Sequence, residues 1–146
     1  MLPAGALVLA LCAGCNLLSG TPELLEPRIV PDGLHPGDTA VISLRVVDRH
    51  RLVRKVEGQV QGQPRHVFRL LDDGVAPDEA PGDGIWSMQV DVPFQAPSGD
   101  FVLEFTAYKS DGLPVPVRDG QHHVVSLRTS LPLTIEAPEK VAPASP

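Results

Sequence analysis

A chain of 146 residues is long enough to bury one hydrophobic core and too short for two without covalent staples, so a single folded domain is expected. Its hydrophobic share of 42% is ordinary for a globular protein, while 16 prolines and 13 glycines favour many turns over long helices. Twelve Lys and Arg against 18 Asp and Glu give a net charge of −6 with no basic block, which argues against a nucleic-acid partner.

Residues 1–14 carry no charged side chain and are apolar over the length of a signal-peptide core, well short of the ~20 residues that span a bilayer. A cleaved signal segment is therefore expected. Ala13-Gly14-Cys15 resembles the lipobox of bacterial lipoproteins, in which the cysteine thiol is acylated and becomes the new N-terminus. The resemblance implies lipidation at Cys15, attachment to a membrane through the lipid anchor, and a place in the bacterial cell envelope. Cys12 stands where leucine is usual, and no Lys or Arg precedes the apolar run, which leaves open a start upstream of Met1. A plain secretory signal cut near Gly14 or Gly20 is the alternative. In lipoproteins of this kind an aspartate after the cysteine tends to retain the protein in the inner membrane. Asn16 thus implies an outer-membrane lipoprotein facing the periplasm or the cell surface. Both cysteines fall in this segment, so the mature domain has no thiol for a disulfide, a zinc cluster or a nucleophile.

Residues 15–26 read as a tether merging into a first edge strand, because Pro22, Pro27 and Pro31 withhold ladder donors. The folded domain is expected over 27–136. His35-Pro36-Gly37-Asp38 is a turn, and Thr39–Val47 alternates as a strand with Ala40, Ile42, Leu44 and Val46 inward. After a turn at Asp48–Arg51, Leu52–Val60 is a second strand with Leu52, Val56 and Val60 on one face. Gln61–Pro64 links it to the run ending at Leu71. Ile85–Val92 alternates with Trp86, Met88, Val90 and Val92 on one face, which places the single tryptophan in the core. Phe101–Tyr108 is a core strand with Phe101, Leu103, Phe105 and Ala107 inward. Beyond the turn at Ser110-Asp111-Gly112, Leu113–Val117 is extended, Asp119-Gly120 closes a hairpin, and His123–Arg128 with Leu131–Ile135 forms one strand broken near Ser130, or two. Residues 137–146 are too polar and proline-rich to pack, and a disordered tail is expected. Turn signals every eight to twelve residues without a helical apolar period define an all-β fold, an antiparallel β-sandwich of about seven strands.

Between the apolar runs lies Leu70-Leu71-Asp72-Asp73-Gly74-Val75-Ala76-Pro77-Asp78-Glu79-Ala80-Pro81-Gly82-Asp83-Gly84-Ile85-Trp86. Asp-Asp-Gly and Gly-Asp-Gly each favour a tight turn, since aspartate accepts from backbone N–H groups two residues on and glycine takes positive φ freely. The pattern Leu-x-Asp-Asp-Gly, an acidic spacer, then Gly-Asp-Gly-Ile-aromatic resembles one that recurs in immunoglobulin-like or fibronectin-type sandwich modules of bacterial envelope and secreted proteins, the choice-of-anchor type. It is also similar to a stretch in the C-terminal sandwich of calcium-activated chloride channel regulators. Trp86 replaces the usual tyrosine here, and Ala76-Pro77 a common Gly-Asp pair. The resemblance spans about residues 65–110 and implies an immunoglobulin-like sandwich without implying an activity.

Asp72, Asp73, Asp78, Glu79 and Asp83 place five carboxylates within twelve residues. Either they cap turns, or Asp72, Asp73, Asp78 and Asp83 hold Ca²⁺, which accepts six to eight oxygens in irregular geometry. The spacing is not that of an EF-hand. The five histidines show no ligand spacing, and His122 and His123 would point to opposite faces of a strand. No nucleophile elbow is present, and a single small sandwich seldom supplies the cleft that a glycosidase needs. The expectation is a non-catalytic envelope module that binds an envelope protein or a glycan, or plays a structural part, with no resident cofactor. The alternative is a calcium-dependent adhesion or glycan-binding domain.

Overall fold

A computed structural model describes residues 20–138. The expected signal segment, Cys15 and most of the expected tail lie outside the described residues.

The described chain is all β: β1 (Glu23–Val30), β2 (Gly33–Leu34), β3 (Thr39–Val47), β4 (Lys55–Val60), β5 (Gln63–Leu70), β6 (Ile85–Asp91), β7 (Gly99–Tyr108), β8 (Pro116–Arg118), β9 (Val124–Ser126) and β10 (Arg128–Ile135). One sheet has the order β1-β3-β6 and the other β2-β10-β7-β4-β5, with β8-β9 as a small separate hairpin. Seven strands are long, three are short, and the two main sheets enclose one core, an immunoglobulin-like sandwich. Pairing is antiparallel except where β2 runs parallel to β10 over Thr134 and Ile135.

The alternating strands behave as period 2 requires. Ala40, Ile42, Leu44 and Val46 of β3 are buried, as are Leu103, Phe105 and Ala107 of β7. Phe105 is the largest fully buried side chain and meets Phe68 of β5 edge to face, ring centroids 6.1 Å apart. Gly58 on β4 permits that pair. A Cβ there would collide with the Phe68 ring and press on Phe105, so only glycine fits in this strand interior.

Several expectations shift. β1 begins at Glu23, inside the expected tether, because Leu24 is buried opposite Val46 of β3. Pro27 fits this edge strand at a bulge, where the register slips between Leu25 and Arg28 and Glu26 takes φ +51°. The second strand starts at Lys55. Leu52 is 41% exposed and Val53 only 7%, since the Val53 N–H donates to Asp48 Oδ2 (2.6 Å) and three residues, Leu52 to Arg54, precede the strand. The last strands divide at Leu127, not Ser130. Leu127 donates to Val115 O and accepts from Ala107 N–H, so the chain changes partners there, from β8 to β7. Trp86 faces inward opposite Leu44, yet it is only half-buried at the margin of the core, because β6 is the edge of its sheet. Glu136, though exposed, is still tied to the domain: its N–H donates to Leu34 O, and its carboxylate lies 3.2 Å from His35.

Candidate functional site

β5 and β6 are edge strands of different sheets, and the acidic loop, residues 72–84, connects them along one open side of the sandwich. Leu70 is fully buried in β5. Leu71 has already crossed, exchanging backbone hydrogen bonds with Ser87 of β6 (3.0 and 2.9 Å). From there the chain folds over the outer face of the three-stranded sheet. Ile85 and Ser87 lie opposite Arg45 and Ser43, the outward positions of β3. A cleft of about 360 Å³ separates loop from sheet, walled by Arg28, Ser43, Asp78, Glu79, Asp83 and Ser87. Ser87 is only 5% exposed although it points away from the core.

The loop holds its shape through carboxylate-to-backbone bonds. Asp72 accepts from Gly82 N–H at Oδ1 (2.8 Å) and from Gly84 N–H at Oδ2 (3.0 Å), so one side chain staples both ends of the loop. Asp78 Oδ2 accepts from Gly74 N–H (2.6 Å), and its own N–H donates to Val75 O (3.0 Å). Asp83 Oδ1 accepts from Ile85 N–H (2.8 Å). Gly74 takes φ +74°, and a Cβ there would fall 2.6 Å from Pro81 Cδ, so the Asp-Asp-Gly turn admits no side chain at that position.

One oxygen from each of Asp72, Asp78 and Asp83 lies within 4.8 Å of the other two. Asp73, expected as a fourth ligand, is not in this group; it is exposed and caps its own turn through Val75 N–H (2.9 Å). Glu79 is exposed on the cleft wall. Two unit charges no more than 4.8 Å apart at an effective dielectric near 20 repel by roughly 3 kcal/mol or more. That matches in size the ~1.5–3 kcal/mol of a hydrogen bond to a charged group, so the backbone bonds are set against the repulsion they bring about. Among the described residues, no Lys, Arg or His nitrogen lies within 4.0 Å of these three carboxylates. Asp78 is 5% exposed, and its Oδ1 has no hydrogen-bond partner; neither has the buried Ser87 Oγ. Sequence pattern could not single out Ser87, which reads as one more solvent-facing residue of an alternating strand.

The histidines do not converge. His122 and His123 lie in the turn between β8 and β9, not on a strand, His122 with φ +64° and His123 3.6 Å from Asp119. A second cavity, about 430 Å³, opens between the sheets at the opposite end, lined by apolar residues such as Leu34, Phe68, Val92 and Phe101. Among the described residues its wall carries no Ser, Thr or Cys, and His66 and Asp91 are its titratable groups.

No protein-family model matches the chain, and no curated protein matches it. Among solved structures it is similar to the endo-β-1,4-mannanase from Thermotoga petrophila, with 16% identity and a TM-score of 0.43 over 79% of this chain. The match spans only 20% of the mannanase.

Proposed function

We propose that this chain is a non-catalytic β-sandwich module of the bacterial envelope, held at the outer membrane by an acylated Cys15 and serving as a structural element or as a binder of an envelope protein or glycan. The observation that carries the reading is the short distance in sequence between the lipobox-like Ala13-Gly14-Cys15 and the first strand at Glu23. The seven intervening residues, Asn16–Pro22, reach at most about 25 Å, so the sandwich stays close to the bilayer surface. A multiply acylated cysteine anchors firmly where a single chain would not. The strand registers put Glu23 at the same end of the sandwich as the start of β6, so the acidic-loop end lies nearer the anchor than the loop at Pro93–Pro97.

Fractionation of cells expressing the full chain and its Cys15→Ser variant tests the anchor. The wild type is expected in the outer-membrane fraction with the faster gel mobility of an acylated protein, and the variant in the soluble fraction. Identical fractions and mobilities for the two would refute lipidation and, with it, this reading.

A further inference from the structure

We propose that Asp72, Asp78 and Asp83 form a Ca²⁺ site that locks the acidic loop onto the side of the sandwich. Three oxygens within 4.8 Å of one another fit a shell around one ion, because oxygens on opposite sides of Ca²⁺ at 2.3–2.6 Å stand up to about 5 Å apart. A group of acids at a loop would by itself be no more than solvated turn caps. Asp78 is no solvated cap. It is 5% exposed, and Oδ1 is out of contact with solvent and accepts no hydrogen bond. A carboxylate oxygen taken out of water needs a donor or a cation. Among the described residues, no basic side chain within 4.0 Å supplies one. Ser87 Oγ, the other buried unpartnered oxygen of this region, lies on the wall of the cleft that Asp78 and Asp83 also line.

The donor set selects the ion. It is all hard oxygen with no imidazole or thiolate, which disfavours zinc and copper. Three carboxylates supply three to six of the six to eight oxygens that Ca²⁺ takes, leaving the remainder to water and backbone carbonyls. Mg²⁺ requires a small regular octahedron at 2.0–2.1 Å and sheds water reluctantly. A loop whose carboxylates are already aimed by Gly74, Gly82, Gly84 and Ile85 N–H groups suits the larger, less exacting ion. The cation would replace mutual repulsion among the three acids with attraction to a common charge, at the point where the chain passes between sheets. This inference does not depend on the envelope reading, and a soluble Cys15→Ser variant leaves it untouched.

The test is calorimetric titration of the chelator-treated full chain with CaCl₂ up to about 10 mM, the range that includes extracellular calcium modules. Thermal melts with and without Ca²⁺ accompany it. One site is expected, with a Tm rise of roughly 10 °C at a hundred times Kd for a domain of this size. Asp78→Asn and Asp83→Asn should each weaken Ca²⁺ binding by at least about tenfold, since even indirect partners of a metal matter that much. Asp73→Asn, outside the cluster, should leave it unchanged. If Asp78→Asn does not fold, Asp83→Asn decides alone, because Asp83 is exposed. Absence of heat and of any Tm change overturns the site. So does binding that Asp83→Asn leaves intact, and Mg²⁺ binding as tight as Ca²⁺ overturns the assignment of the ion.

Discussion

Strand β5 is joined to the molecule in two chemically opposite ways. Along its length Phe68 lies over Gly58 and against Phe105, a joint of apolar surface and shape. Just past its end Asp72 ties Gly82 and Gly84 together beside Asp78 and Asp83, a joint of directed bonds to charge. The apolar joint is non-directional, and what it loses on substitution scales with the cavity left behind. At the polar joint the bonds range from exposed to part-buried, so what a lost partner costs depends on the atom, and the buried Asp78 Oδ1 already stands unpartnered. The core joint is held by area and close fit, the loop by individual donor and acceptor atoms.

Breaking the apolar joint should have the largest effect. Phe105→Ala removes the largest fully buried side chain and is expected to destabilise by about 3–5 kcal/mol, read from urea unfolding at unchanged m-value. Asp72→Ala comes next, at about 2–3 kcal/mol in the same measurement, because one half-exposed carboxylate serves two backbone donors. A loss equal to that of Phe105→Ala would show that the loop, not the core, limits stability. Trp86→Ala sharpens the contrast from the apolar side. A half-buried ring at a sheet edge leaves an open notch rather than a sealed cavity, so about 1–2 kcal/mol is expected, well below Phe105→Ala.

The smallest effect is expected at Asp111, in the turn after β7. Its exposed carboxyl is held below the usual aspartate range, first by the Leu113 N–H and then by the Lys109 ammonium. A carboxyl with a folded-state pKa below its unfolded value contributes stability above about pH 4 and loses it as pH falls through the folded pKa. The stability difference between wild type and Asp111→Asn should therefore be small at neutral pH and vanish in acid melts. A difference that grew on acidification would contradict the assignment.

Much of this architecture is legible in the chain. Alternation in Thr39–Val47 and Phe101–Tyr108 identified the inward faces of β3 and β7, and the Asp- and Gly-marked turns at 35–38, 48–51 and 110–112 fall where local chemistry places them. For the last strands and for Trp86, a remote neighbour was responsible where the reading failed. Leu127, rather than Ser130, divides the last strands because it sits between Val115 and Ala107, and Trp86 is half-buried because β6 has a full-length partner on one side only.

The sequence by itself determined the all-β class, the inward faces of β3, β6 and β7 and the tight turns at the two ends of the acidic loop, because alternation and Asx turns are set within a few residues. Tertiary structure alone decided that β5 and β6 are edges, that Ser87 is covered, and that Asp72, Asp78 and Asp83 meet while Asp73 does not. Those facts depend on how the sheets stack and on the path the chain takes between them, and distances between residues that turns bring together across a loop are not encoded in their spacing along it.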